Sequence, residues 1–153
     1  MKVEEAIKCS TVYPWEKKTM LNIMYTQNVL AESFYEILKP FDLSPEQFNV
    51  LRILRGQKCR PVNMCEIQER MIAKTSNTTR LVDKLLLKGL VSREVCNENR
   101  RKMEIKITEK GLALLLKLDP QIEDYDNQYA KNLNEEELKQ LNHLLEKYRT
   151  INK

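Results

Sequence analysis

Between positions 55 and 110 the chain carries 14 Lys/Arg against 7 Asp/Glu, a net of +7, while the whole chain totals only +4. A basic segment between mildly acidic flanks is the electrostatic footprint of contact with a polyanion, a nucleic acid foremost. A solvated charged face is the plainer reading of the same charges, so the side chains within the segment must decide. Two clusters there have suitable chemistry. Ser76, Asn77 and Thr79 are short and polar, and Arg80 and Lys84 follow four residues apart. Short side chains at a helix N-terminus permit close approach, and the helix amides favour a phosphate. Asn77 suits adenine, Thr79 a thymine methyl or a phosphate, and Arg80 and Lys84 phosphates or guanine. The second cluster is Arg100-Arg101-Lys102. Arg101 suits insertion into a narrow minor groove, with Arg100 and Lys102 on the backbone.

Other chemistries find little support. Cys9, Cys59, Cys65 and Cys96 are scattered without a CxxC pair, and the single histidine, His143, is remote from all of them. A zinc site needs tighter ligand pairs, so no metal is expected, and the cysteines read as reduced packing residues. No catalytic cluster and no glycine-rich phosphate loop is present, so neither an enzyme nor a cofactor is expected. With 153 residues, 3 Gly and 5 Pro, the composition suits one mainly helical domain. No apolar run approaches the roughly 18 residues of a membrane helix. The N-terminal MKVEEAIKCSTVYPWEKK lacks a secretory apolar core, so no membrane partner is expected and the cytoplasm is the expected compartment.

Elements must hold the two basic clusters in place. Apolar spacing predicts a long helix from Trp15 to Leu38, with Leu21, Met24, Tyr25, Val29, Tyr35 and Leu38 on one mainly apolar face. Ser44-Pro45-Glu46-Gln47 reads as a capping box opening a helix with Phe48, Val50, Leu51 and Leu54 inward. Asn63 and Glu66 read as a second box. Thr75 and Ser76 offer caps for a helix from Asn77 to Lys88, which Gly89 ends. Two short helices joined by a tight turn in the basic segment read as a helix-turn-helix. Leu90–Val95 and Met103–Ile107 then alternate as strands around the polar 96–102, a hairpin wing with a cationic tip. Thr108 caps a further helix through Leu115, Leu118, Ile122 and Tyr125, with a kink or break expected at Pro120. Asn134 opens the last helix, with Glu135, Glu136 and Glu137 at the positive end of its dipole.

The run from Ser76 to Leu85, then Lys88-Gly89-Leu90-Val91 and Arg93, resembles the recognition-helix signature of the multiple-antibiotic-resistance regulator (MarR) family. Ile107-Thr108-Glu109-Lys110-Gly111 is similar to that family's LTEKG strand-to-helix motif, with Ile for Leu. Leu43-Ser44-Pro45-Glu46-Gln47-Phe48 is similar to the opening of its second helix. The resemblance covers roughly residues 20–150. It implies a winged helix-turn-helix regulator of transcription, working as a homodimer on a pseudo-palindromic operator in double-stranded DNA. It also implies a repressor released by a small aromatic or anionic effector held between the dimerisation helices and the DNA-binding lobe. There are three departures. Asn99 stands where the family usually has an Asp paired with a wing arginine. Leu86 and Leu87 stand where it has charged residues, so at least one is expected to pack on a neighbouring element. Thr78 replaces a usual valine and is expected to face inward.

The expected fold is therefore mainly α with a small β-hairpin wing. A single domain spans 1–153, with a DNA-binding lobe at about 43–110 and dimerisation helices at about 15–40 and 109–151. Dimerisation also follows from the residues. Leu133, Leu138, Leu141, Leu145, Tyr148 and Ile151 are more apolar surface than one chain can cover, and an isologous interface would bury it. Two alternatives stand beside this reading. One is a winged-helix protein-interaction adaptor. The other is a thiol-based redox-sensing regulator, although Met20–Tyr25 holds no cysteine.

Overall fold

The computed structural model describes residues 1–58, 60–95 and 103–150. Among the described residues seven helices and three strands follow one another: α1 (Val3–Ala6), α2 (Trp15–Leu38), α3 (Pro45–Gly56), β1 (Val62–Asn63), α4 (Met64–Arg70), α5 (Thr78–Leu87), β2 (Val91–Val95), β3 (Met103–Ile107), α6 (Glu109–Ala130) and α7 (Glu135–Arg149). A single 3-10 turn, Lys39–Phe41, links α2 to the loop before α3.

Local chemistry sets most helix starts. The Ser44 hydroxyl accepts the Gln47 N–H at 3.2 Å, and the Gln47 side chain accepts the Ser44 N–H at 3.1 Å. Asn63 and Glu66 do the same for α4, and Asn134 and Glu137 for α7. Thr108 accepts from the Gly111 N–H at 3.1 Å and opens α6. Each such cap is worth about 1 kcal/mol.

The core gathers around α3. Val50, Leu51 and Leu54 pack with Ile67, Val82, Leu85, Ile105, Leu115 and Leu118 in one cluster. Full burial of each such side chain contributes roughly 1.5–3 kcal/mol. The wing is the outer part of a three-stranded antiparallel sheet in the order β1-β3-β2. Ile107 faces Val91, and Ile105 lies between Arg93 on one side and Val62 on the other. The hairpin is where the alternation predicts it. The pairing of β1 is an addition, because two residues carry no periodicity to read.

Three expectations need correction and one element is new. The recognition helix begins at Thr78 and ends at Leu87, one residue inside the expected span at each end. Of the kink or break expected at Pro120, the break does not occur, and α6 runs on through it. Leu115 and Leu118 before the proline are buried and Ile122 beyond it packs on the same core, which holds one helix through the missing hydrogen bond. The short α1, tied down by a Lys18–Glu4 ion pair of 2.7 Å, was not foreseen. On α2 the residues packed on the core are Phe34, Ile37 and Leu38, while Met24 and Tyr35 on the expected face are exposed. Periodicity finds an apolar face but does not say which neighbour covers it.

Several elements converge on Leu90. Gly89, at φ +69°, ends α5 in a Schellman motif: its N–H donates to the Leu86 carbonyl at 2.9 Å and the Leu90 N–H to the Leu85 carbonyl at 3.0 Å. The Leu90 carbonyl accepts the Thr108 N–H at 3.1 Å. A Cβ on Gly111 would lie 2.3 Å from that carbonyl oxygen and 2.8 Å from Ile107 Cγ1. Gly111→Ala should therefore destabilise the fold by about 1–3 kcal/mol, although helix propensity alone would favour alanine by about 1 kcal/mol. Thermal unfolding checks this, and an unchanged or higher midpoint would show that α6 does not approach so closely.

Candidate nucleic-acid interface

The face that α5 buries determines the face it offers. Thr78, Val82 and Leu85 turn inward, and Thr79, Arg80, Asp83, Lys84 and Leu87 turn to solvent. The inward Thr78 matches expectation, with 3% of its surface exposed. Leu86 packs on the core, as expected of at least one of the leucine pair, and Leu87 is 88% exposed.

Neither Thr75 nor Ser76 caps the helix. The Ser76 N–H closes a turn onto the Ala73 carbonyl at 3.1 Å, which moves the capping position on to Asn77. The Asn77 side-chain oxygen accepts the Arg80 N–H at 3.1 Å, and the residue is exposed. Ser76 is half-buried beside it.

Three contacts that the sequence reading missed hold this surface. The Gln68 amide on α4 donates to the Lys74 carbonyl at 2.6 Å and accepts from the Thr78 hydroxyl, which clamps the turn between the two helices. Arg93 on β2 pairs with Asp83 at 2.7 Å and ties the wing to the recognition helix. Lys88 pairs with Asp42 at 2.9 Å and ties the end of α5 to the loop before α3. Long-range pairs of this kind leave no spacing signal. Asp83 is the one carboxylate on α5, and Arg93 engages it, so the helix has no other acid to neutralise Arg80 and Lys84.

β2 and β3 pair as far as Val95 opposite Met103, with Lys106 and Glu94 bridged across them at 3.1 Å. Arg100, Arg101 and Lys102, with Asn99, Cys59, Cys96 and Ile151, lie outside the described residues.

On the other side of α3 a cavity of about 1490 Å³ lies between α2, α3, α6 and α7. Its walls are mainly apolar, with Ile23, Leu30, Phe34, Phe48, Ile122 and Tyr125 among them. The Phe34 ring centroid is 5.4 Å from that of Phe48 and 5.4 Å from that of Tyr125. The Tyr125 hydroxyl donates to the Leu30 carbonyl at 3.0 Å, and burial raises its phenol pKa, so it stays protonated. Polar groups come from α2 (Thr19, Asn22, Thr26 and Gln27) as well as from α3, where Arg55 pairs with both carboxylate oxygens of Asp119 of α6 at 2.8 and 2.9 Å.

Cys9 Sγ lies 3.1 Å from the Tyr13 hydroxyl, a hydrogen bond that lowers the thiol pKa, and Cys65 is exposed on the first turn of α4. Among the described residues no three His, Cys, Asp or Glu come together to hold a metal ion. No described helix is long and apolar enough to cross a membrane.

Comparison with known proteins follows the same geometry. The MarR family model matches residues 43–103, from the loop before α3 to the start of β3. The HTH-type transcriptional repressor IacR of Pseudomonas putida is 30% identical over 122 residues, which cover 80% of this chain and 69% of that protein. The MarR transcription factor of Planctomyces limnophilus is 30% identical in its crystal structure, with a TM-score of 0.68 over 89% of this chain and 98% of that one. A mutant MarR of E. coli, crystallised with operator DNA, is 26% identical with a TM-score of 0.73 over 84% of this chain and 91% of that one. With a recognition helix, a wing sheet and flanking helices in the arrangement of these relatives, the chain belongs to the MarR family of DNA-binding transcriptional regulators.

Proposed function

We propose that this chain is a repressor that binds a pseudo-palindromic operator as a homodimer and is released by a small aromatic or anionic effector. The observation that carries the reading is the solvent face of α5, where Asn77, Thr79, Arg80 and Lys84 stand clear of the core. In a helix-turn-helix the second helix lies in the major groove with its N-terminal residues at the base edges. Ser76, Asn77 and Thr79 are then base or phosphate contacts at the helix start, and Arg80 and Lys84 reach phosphates or guanine. Arg101 is then the candidate for the neighbouring minor groove, with Arg100 and Lys102 as contacts to the DNA backbone. The similar E. coli MarR variant crystallised with operator DNA supports this.

Residues 43–110 are then the DNA-binding lobe, and 15–40 with 109–151 the dimerisation helices. The support for a dimer is energetic. No residue of α7 is buried, yet Leu141, Leu144, Leu145 and Tyr148 line one side of it. A 15-residue helix has little stability without a packed face, and a second copy supplies one. Part of the cavity supports the effector reading. A second copy on Leu141, Leu144, Leu145 and Tyr148 covers its α7 wall, and the rest of the wall, between α3 of the lobe and α2 and α6, is where an occupant would change how one sits on the other.

Duplex binding should weaken steeply with salt. A dimer making about 8 phosphate contacts gives a log–log slope near −7, and a slope near zero would exclude DNA as the partner. Arg80→Ala, Lys84→Ala or Arg101→Ala should each flatten that slope by about one unit for every phosphate the shortened side chain cannot reach, without shifting base preference elsewhere. Asn77 needs a finer test because it also caps α5. Asn77→Ser keeps a capping oxygen and removes the amide, so selection on random duplexes should show one relaxed base pair per half-site, worth about 1–3 kcal/mol. An unchanged motif would exclude Asn77 as a reader.

Sedimentation at micromolar concentration should give about twice the 18.1 kDa chain mass. Leu145→Glu should dissociate or unfold the assembly by burying an unpaired charge. A folded monomer of the unaltered chain would contradict the dimer.

A further inference from the structure

Thr78, the first residue of α5, is buried, yet it carries a hydroxyl. A valine would occupy nearly the same space and need no hydrogen-bond partner. The hydroxyl donates to Gln68 Oε1 on α4, ten residues back. The other end of the same amide, Gln68 Nε2, donates to the Lys74 carbonyl at 2.6 Å. Lys74 Nζ in turn donates to the Glu69 carbonyl near the end of α4. One planar group on α4 therefore holds both the turn and the first residue of the recognition helix. Apolar packing alone tolerates small rotations, whereas a satisfied polar network rigidifies what it joins. A hydrogen bond weakens steeply as its angle is lost, so this one fixes how α5 is rotated against α4. Asn77 and Thr79 flank Thr78 in the chain, and a rotation at Thr78 carries both with it.

We propose that Gln68 and Thr78 are positioning residues for DNA recognition: their hydrogen bond sets the angle at which the start of α5 meets the base edges, and so governs sequence preference without either side chain touching DNA. The proposal rests on the reading of Ser76, Asn77 and Thr79 as contacts at the helix start. Thr78 is too deeply buried to reach a base, and Gln68 has both ends of its amide engaged inside the protein. Hydrogen bonds from short side chains to base edges demand a narrow range of distance and angle. A phosphate contact by a long, flexible side chain such as Lys84 follows a small shift of the helix. Loss of the clamp should therefore lower sequence preference and leave general affinity for duplex DNA in place.

The test begins with selection of a consensus duplex from a random pool by the unaltered full-length protein. Binding of that duplex is then compared with binding of a scrambled duplex of the same composition, for Thr78→Val, Gln68→Met, the double variant and Thr78→Ser. Thr78→Val and Gln68→Met should each weaken consensus binding about tenfold, the effect of about one mismatched base pair. Binding of the scrambled duplex and its salt slope should be unchanged, because no phosphate contact is removed. The double variant should lose no more than either single one, because both remove the same bond. Thr78→Ser keeps the hydroxyl and should keep the preference. Thermal unfolding and sedimentation accompany each variant. If Thr78→Val does not fold, Gln68→Met, at a half-buried position, carries the test. An unchanged ratio of consensus to scrambled binding in the single variants overturns the proposal. Equal losses on both duplexes, additive losses in the double variant, or a Thr78→Ser variant as impaired as Thr78→Val overturn it too. If the unaltered protein enriches no consensus, the sequence-specific DNA reading falls and the role of the clamp falls with it. If it enriches one that Thr78→Val and Gln68→Met bind equally well, only the role of the clamp falls.

Discussion

The backbone of Leu90 is the junction on which the geometry of the DNA-binding lobe depends. Its N–H ends the recognition helix and its carbonyl receives the N–H of Thr108 at the start of α6. α6 can come this close only because position 111 has no side chain. The arrangement therefore sets three directions at one point: the axis of α5, the departure of the wing and the departure of the long helix α6. A glycine with positive φ and a glycine in close contact, one on each side of the hairpin, make the junction possible.

α3 carries the second constraint, because its two sides serve different purposes. Val50, Leu51 and Leu54 belong to the core under the recognition helix, while Asn49, Arg52 and Arg55 line the cavity. Arg55 also reaches across to Asp119 on α6. A rigid helix shared in this way makes an occupant of the cavity mechanically relevant to the DNA-binding surface, since closely packed interiors transmit strain instead of absorbing it. The partly exposed Arg55–Asp119 pair adds little stability by itself. Its geometry matters more, because it ties α3 to α6 across one wall of the cavity.

Much of this was legible in the residues. The capping boxes at Ser44 and Asn63 and the cap at Thr108 appear where the sequence places them, because a cap is a contact within four residues. The inward turn of Thr78 was legible for a similar reason, as it falls in step with Val82 and Leu85. The cap of α5 was misplaced by one residue, because the turn closed by Ser76 uses backbone atoms that any residue supplies. β1, the Gln68 clamp and the Arg93–Asp83 pair were not legible, since each joins groups 10 or more residues apart or depends on strand pairing.

The sequence by itself determined the order of elements, the basic recognition segment and the family, because these rest on short-range spacing and on side-chain type. Only the tertiary structure decided which apolar stripe of α2 meets the core, that α6 passes Pro120 unbroken, and that the Asn49 amide is buried without a partner among the described residues. The physical reason is common to all three. Burial and pairing are properties of two surfaces brought together, and a helix's own sequence describes only one of them.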